Sequence, residues 1–324
     1  MNLFVGVFTL IVDINIMDKL ESIEELNNIT KGDMPGDKIF IDFEHLNRAK
    51  VILPHLTDLL APIIDSHPTR RAVISIYGGS GTGKSEIASL ISYYFNQTGI
   101  GSYILSGDNY PFRIPKYNDA ERLRIFRQSG IKGLVTSALY TETNSEILKE
   151  LQRNNNDLEP DIVKKHPWML VYKNEGKRGL RNYLGTPNEI NFYELNEIIS
   201  QYKNGANRIY LKRMGRKEED LWYEIVDFSN TKLLIIEWSH GNSYHLSGID
   251  IPILLSSTPD ETLKFRATRN RDKGADSHFT KMALDIEQQL IISQAPTAKL
   301  IASKDGQIIS CNQYLKKMMK EPKE

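Results

Sequence analysis

The sequence holds one cysteine, Cys311. A lone thiol excludes an intrachain disulfide framework and suits a reducing cytosol. No cysteine–histidine group has the spacing of a zinc site. Net charge is also missing, with 41 Lys and Arg against 41 Asp and Glu. A chain without charge excess has no global attraction for nucleic acid or an anionic membrane, so any anion binding must come from local basic groups. Long apolar runs are absent too. Met1 to Met17 is mostly apolar, but it contains Asp13 and Asn15. It is too short for a membrane span and lacks the basic start of a signal peptide. Met17-Asp18-Lys19-Leu20 reads as a cytosolic start, with residues 1–16 an extension before it. The expectation is a cytoplasmic protein with no nucleic-acid or membrane partner; a homo-oligomer stays open. Repeats and long low-complexity tracts are lacking, and 324 residues suffice for one large α/β domain or a core with additions.

What is present is a phosphate-cradling loop. Gly78-Gly79-Ser80-Gly81-Thr82-Gly83-Lys84-Ser85 fits G-x-x-x-x-G-K-[ST]. Its glycines allow positive φ and a close anion approach, and its backbone N–H groups turn onto phosphate oxygens. Lys84 suits the β- and γ-phosphates, and the Ser85 hydroxyl suits Mg²⁺. The flanks match. Ala72 to Tyr77 reads as a buried strand, and Ile87, Leu90, Ile91 and Tyr94 form one apolar helix face after it. That helix offers its positive end to the phosphates.

Residues 1–70 read as a mainly helical N-terminal extension. Phe43, Leu46, Ala49, Val51 and Leu56 give a loose helical pattern that Pro54, Pro62 and Pro68 interrupt. No chemistry is assigned to it. Residues 71–324 read as the P-loop domain. A second strand, Tyr103-Ile104-Leu105, ends in Ser106-Gly107-Asp108-Asn109-Tyr110-Pro111. Ligands bind outside the carboxyl ends of parallel strands, so Asp108 belongs to the edge that carries the loop. A carboxylate there can take a proton from an acceptor hydroxyl or hold Mg²⁺ through water; a turn or N-cap aspartate is the plainer alternative. Arg113, just behind it, is the basic residue best placed to meet an anionic substrate.

Residues 131–229 depart from strand–helix alternation and read as a substrate-lid insertion. Within it, Arg208–Lys212 and Leu221–Ile225 form a hairpin with the charged tip Gly215-Arg216-Lys217-Glu218-Glu219, either a flap over the acceptor site or an ordinary surface hairpin. The strand Lys232 to Ile236 closes on Glu237, which suits the Mg²⁺ water shell or the acceptor. Thr258-Pro259-Asp260-Glu261 is a strong helix start. In the helix that follows, Arg266 and Arg269 share a face and can clamp a transferring phosphoryl group, unless that face is merely solvated. Lys299 to Ser303 is a last strand.

Taken together, the order of parts resembles the phosphoribulokinase/uridine kinase family of P-loop small-molecule kinases, from about Ala72 to Ser303. Leu105-Ser106-Gly107-Asp108-Asn109-Tyr110 is similar to the family's "SxDxFY" or "GDSF" segment, whose aspartate is the catalytic base. The hairpin tip resembles "SRKEE". Glu237 stands at the family's "EG", with Trp238 replacing the glycine. Arg266-Ala267-Thr268-Arg269-Asn270-Arg271-Asp272 is similar to the arginine-rich lid "RRxxRD", in a slightly shifted register. The strand at Ala298–Ser303 resembles the family's last strand, whose following loop lies near adenine.

The resemblance implies a P-loop NTPase fold of class α/β. It has three layers, α/β/α, with a mostly parallel sheet. It implies ATP and Mg²⁺ as cofactors. The expected catalytic residues are Asp108, Lys84 and Arg269. Gly79, Ser80, Gly81, Thr82, Gly83, Lys84, Ser85, Arg266 and Arg269 are expected on ATP. Asp108, Tyr110, Arg113, Glu237 and Arg216 are expected on the acceptor, and Ser85 and Glu237 on the metal. The expected reaction is transfer of the γ-phosphoryl group to a hydroxyl of a small metabolite: a sugar, sugar phosphate, nucleoside or similar. Residues 131–190 are unlike the nucleoside-binding segment, so uridine is not carried over. Arg178, Arg181, Arg213 and Arg216 hint at an acceptor that already bears a phosphate or carboxylate. Two alternatives remain: an adenylylsulfate-kinase-like enzyme, and a nucleotide-dependent regulatory module without catalysis.

Overall fold

The computed structural model describes residues 25, 28–36, 39–258, 261–262 and 277–319. The described residues within Met1–Tyr110, Asn191–Arg266 and Leu290–Glu324 make one compact unit. Those within Pro111–Ile190 and Ala267–Gln289 make a second.

The first unit begins with helix α1, Phe43–Ser66. Asp42 caps it: its carboxylate accepts from the His45 N–H, and the His45 side chain returns the bond to the Asp42 backbone. Pro54 and Pro62 lie inside this one helix, where the sequence pattern suggests interruptions. Each proline removes one helical donor. The buried stripe Leu46, Ala49, Ile52, Leu53, Leu56, Leu60 and Ile64 holds the helix together against that loss, since each buried aliphatic side chain is worth about 1.5–3 kcal/mol.

Strand β1, Ala72–Tyr77, is buried throughout. Helix α2, Lys84–Gln97, and strand β2, Gly101–Ser106, follow it. The second unit then supplies α3 (Pro115–Thr136), α4 (Glu142–Arg153), the single turn α5 (Ile162–Lys165) and α6 (Met169–Arg181). Phe126 of α3 meets Tyr172 of α6 edge to face at 5.6 Å. Buried Glu189 ties the end of this unit together by accepting from Arg122, Asn118 and the Gly185 N–H.

Back in the first unit come α7 (Phe192–Lys203), β3 (Arg208–Met214), β4 (Leu221–Asp227), β5 (Thr231–Glu237) and β6 (Ile251–Leu255). Helix α8, His278–Gln294, contributes to both units; β7 (Leu300–Ala302) and α9 (Cys311–Met318) complete the first.

Five strands form one all-parallel sheet in the order β2-β5-β1-β6-β7. Both faces are covered, as a parallel sheet requires. On one face Ile74, Ile76, Leu233, Ile235 and Ile253 pack with the apolar sides of α1 and α2. On the other, Tyr77, Leu254 and Ile301 pack with Ile291 of α8 and Tyr314 of α9. The α/β class and the parallel sheet expected from the sequence are what the chain adopts. Helix α1 is part of the same core as the sheet. The hairpin β3–β4, paired from Arg208↔Asp227 to Met214↔Leu221, belongs to the first unit. The 131–229 grouping therefore divides near Asn191.

Candidate active site

The glycine loop leaves the carboxyl end of β1 and enters α2 at Lys84. Gly81 and Gly83 take φ of 78° and 85°, the left-handed region that favours glycine. Gly83 is the N-cap of α2 and makes no side-chain cap bond; a helix start of this kind suits an anion. Lys84 folds back on the loop, donating to the Gly79 carbonyl at 3.1 Å, and Thr82 donates to the same carbonyl at 3.0 Å. Gly79, Ser80 and Ser85 lie in the same loop and the first turn of α2.

Two strand ends stand beside it. In register, Ile76 of β1 and Ser106 of β2 both align with Glu237 of β5. Adjacent strands lie about 4.8 Å apart. The chain entering the phosphate loop and the chain leaving β2 are therefore about 10 Å apart, with Glu237 between them. Glu237 is buried. The segment after β2 is a 3₁₀ turn, Gly107–Asn109. In it Asp108 is exposed while Gly107 and Asn109 are buried. An exposed carboxylate on a turn whose neighbours are buried has a fixed base, which suits proton transfer.

Trp238, where the family resemblance expects glycine, is buried and packs against Phe192 and His240. A Cβ at Gly107 would lie 2.1 Å from the Trp238 ring. The indole thus closes the space under the Asp108 turn, and Gly107 is the residue that admits it.

Other expected site residues fall elsewhere. Tyr110 is fully buried. Burial of its hydroxyl pushes its pKa up. Its ring is a core element rather than a face for substrate. Arg113 lies in the second unit, where it donates to the Tyr183 hydroxyl at 3.0 Å and pairs with Glu121 at 3.7 Å. Arg216 is exposed at the hairpin tip. Arg266 and Arg269 lie outside the described residues. Their helix start is described in part: Thr258 and Glu261 exchange the two bonds of a capping box, as the sequence predicts. Of the basic residues read as hinting at an anionic acceptor, Arg178 pairs with Glu175 and Arg181 donates to Gln289. Arg213 is buried against Asp33 at 3.0 Å. These three are engaged in structure; a long basic side chain in sequence does not reveal whether a carboxylate already holds it.

Two residues against the loop come from α1, the helix to which no chemistry is assigned above. The His45 imidazole lies over Gly83, where an added Cβ would meet Cδ2 and Nε2 at 2.8 and 2.9 Å. Arg48 is buried and donates to three carbonyls: Thr82 in the loop at 2.9 Å, Ser256 after β6 at 3.2 Å and Ala302 of β7 at 2.6 Å. Burial lowers its pKa to about 10, so it stays charged at neutral pH. One guanidinium thus fastens the phosphate loop to the ends of two strands. The only hint in the sequence is an arginine amid the apolar stripe of α1.

The described residues contain no group of three or more His, Cys, Asp or Glu side chains able to hold a metal alone, and no described helix is long and apolar enough to cross a membrane.

A curated protein resembles most of this chain. The chain is 37% identical over 244 residues to a bifunctional alpha-galactosidase/sucrose kinase, AgaSK, from Mediterraneibacter gnavus. The match takes in 75% of this chain and 21% of that protein. The chain is an α/β protein that carries a P-loop motif at residues 78–85. It spans about a fifth of the length of that curated relative. No protein-family model matches. Among solved structures, one assigned as a fructose transport system kinase from Silicibacter sp. TM1040 aligns with a TM-score of 0.45. Its identity is 13%, over 78% of this chain and 95% of that one. Another, assigned as a uridine kinase from Bacillus stearothermophilus, aligns with a TM-score of 0.37 at 13% identity, over 76% of this chain and 98% of that one.

Proposed function

We propose that the protein is an ATP-dependent kinase that transfers the γ-phosphoryl group to a hydroxyl of a sugar, with sucrose the first acceptor to test. One observation carries the reading. A phosphate loop and an exposed aspartate follow the carboxyl ends of two strands that flank β5 in one parallel sheet, about 10 Å apart, with Glu237 aligned between them. That spacing suits a triphosphate gripped at one end and an acceptor alcohol at the other. Of the two activities in the curated relative's name, the kinase is the one such a loop serves. Glycoside hydrolysis rests instead on two carboxyl groups facing one sugar.

In this reading the loop N–H groups and Lys84 bind the β- and γ-phosphates. Asp108 accepts the acceptor's O–H proton as the new O–P bond forms and the bond from the γ-phosphorus to the β-γ bridging oxygen breaks, releasing ADP. Such transfer needs mostly positioning and charge neutralisation. Arg266 and Arg269 are proposed for the charge on the transferring group. Mg²⁺, when bound, neutralises phosphate charge. It is usually held by one or two protein groups together with the nucleotide, and Ser85 and Glu237 fit that modest demand. Arg113 and Arg216 are candidates for the acceptor. A cytoplasmic setting accords with the single cysteine.

The test is acceptor-dependent ADP release with ATP, Mg²⁺ and a panel of sugars including sucrose, with products identified by mass spectrometry. A phosphorylated sugar is the expected result. ATP binding without transfer to any member of the panel would overturn the sugar-kinase reading and favour a regulatory module. Transfer to adenylylsulfate alone would favour the other alternative.

A further inference from the structure

Asp33 lies in Gly32-Asp33-Met34-Pro35-Gly36, a turn-rich stretch ahead of α1. Its carboxylate is nonetheless buried, 7% exposed, against Arg213 at 5%. Each of its oxygens has separate partners. Oδ1 accepts from the Ser106 N–H at 2.7 Å and from the Asn109 side chain at 3.2 Å. Those two residues flank Gly107 and Asp108. Oδ2 accepts from Arg213 of β3 at 3.0 Å and from the Tyr103 hydroxyl at 3.1 Å. Arg213 also donates to Tyr103 at 2.8 Å and to Glu224 of β4 at 3.2 Å. The Asn109 amide closes the circuit, its carbonyl oxygen accepting from the Met214 N–H at 3.0 Å.

We propose that Asp33 is a positioning residue: one buried carboxylate fixes the turn that presents Asp108 and ties the β3–β4 hairpin to that same turn. A buried ion pair is a poor source of stability, because desolvation offsets its attraction. Its value lies in specifying one arrangement. Here the specified arrangement is the angle at which Asp108 leaves the sheet. A displacement of about 1 Å in a reacting group costs roughly a hundredfold in rate, so the effect of Asp33 is on turnover. The phosphate loop makes none of these contacts, so nucleotide binding is spared. What Asp108 does is taken from the kinase reading; where it is held is not.

The experiment compares the full chain with Asp33→Asn and with the milder Tyr103→Phe, which keeps the ring packed against Phe228. Hydrogen exchange is followed over residues 104–112 and 72–90, and steady-state kinetics are measured with ATP and sucrose. Asp33→Asn is expected to speed exchange about tenfold or more in 104–112 while leaving 72–90 unchanged. Its kcat is expected to fall roughly 10- to 100-fold with KM for ATP within about twofold. Tyr103→Phe is expected to fall between it and wild type. Unchanged exchange in 104–112 would overturn the proposal. So would a loss spread equally over kcat and KM together with faster exchange in 72–90, the pattern of general unfolding. If sucrose is not phosphorylated at all, the exchange data still decide the positioning claim while the kinase reading fails separately.

Discussion

The phosphate loop and the Asp108 turn sit at carboxyl ends of the same sheet, yet they are built in opposite ways. The loop is mostly local. Eight consecutive residues supply its glycines, its lysine and its helix start. The turn is held from afar: by Asp33 before α1, by Met214 in the hairpin, and by Trp238 after β5. A local device announces itself in sequence, whereas a device assembled from distant parts does not. Even the loop has one remote support, Arg48, whose three bonds lie 34, 208 and 254 residues away in sequence.

This contrast can be broken from either side. Asp108→Asn should lower turnover by roughly two to four orders of magnitude while nucleotide binding survives. Lys84→Ala should weaken both. Enzyme kinetics beside nucleotide titration checks this pair. Arg48→Met should destabilise the fold by about 3 kcal/mol, since it leaves buried carbonyls at the loop and two strand ends without their donor. Denaturant unfolding measures it, and a loss under about 0.5 kcal/mol would make Arg48 incidental.

The Asp33 circuit adds a pH signature. Burial is the largest influence on this carboxyl and pushes it up from 3.8 to about 6, with Arg213 the leading opposing influence. The folded chain therefore binds this proton more tightly than the unfolded chain. The group's contribution to stability is full below about pH 4 and is lost as pH rises through about 6. The unfolding free energy of wild type minus that of Asp33→Asn should fall from about pH 4 to about pH 6 and level off above. A difference that rises over that window contradicts the assignment. Gly83→Ala should cost about 1–3 kcal/mol, from left-handed strain and the clash with His45. Adding His45→Ala should recover part of that loss, and strict additivity would deny the contact. At the small end, Arg178→Ala breaks a pair in which Arg178 is 72% exposed and should change stability by no more than about 0.5 kcal/mol.

Much of the first unit was legible in advance for simple reasons. Ala72–Tyr77, Thr231–Glu237 and Ile251–Leu255 each hold a mostly apolar run, such as Leu233 to Ile236, as strands buried on both faces must. The Thr258–Glu261 cap and the β3–β4 hairpin carry short-range signals. The unbroken path of α1 through Pro54 and Pro62 was not legible, because the burial that outweighs two missing donors comes from the sheet. Tyr110 shows the same limit at the site: its neighbour Asp108 faces outward, but nothing adjacent in sequence says that its own ring turns into the core. Asp33 sits among glycine and proline, and only the fold brings Arg213 to it.

The most direct test of the central claim is a crystal structure with a non-hydrolysable ATP analogue and sucrose. The account predicts the triphosphate along residues 78–85 and the Asp108 carboxylate within about 3.2 Å of a sugar hydroxyl facing the terminal phosphorus. A triphosphate bound there with Asp108 turned away, at roughly twice that distance or more from any acceptor oxygen, would contradict it.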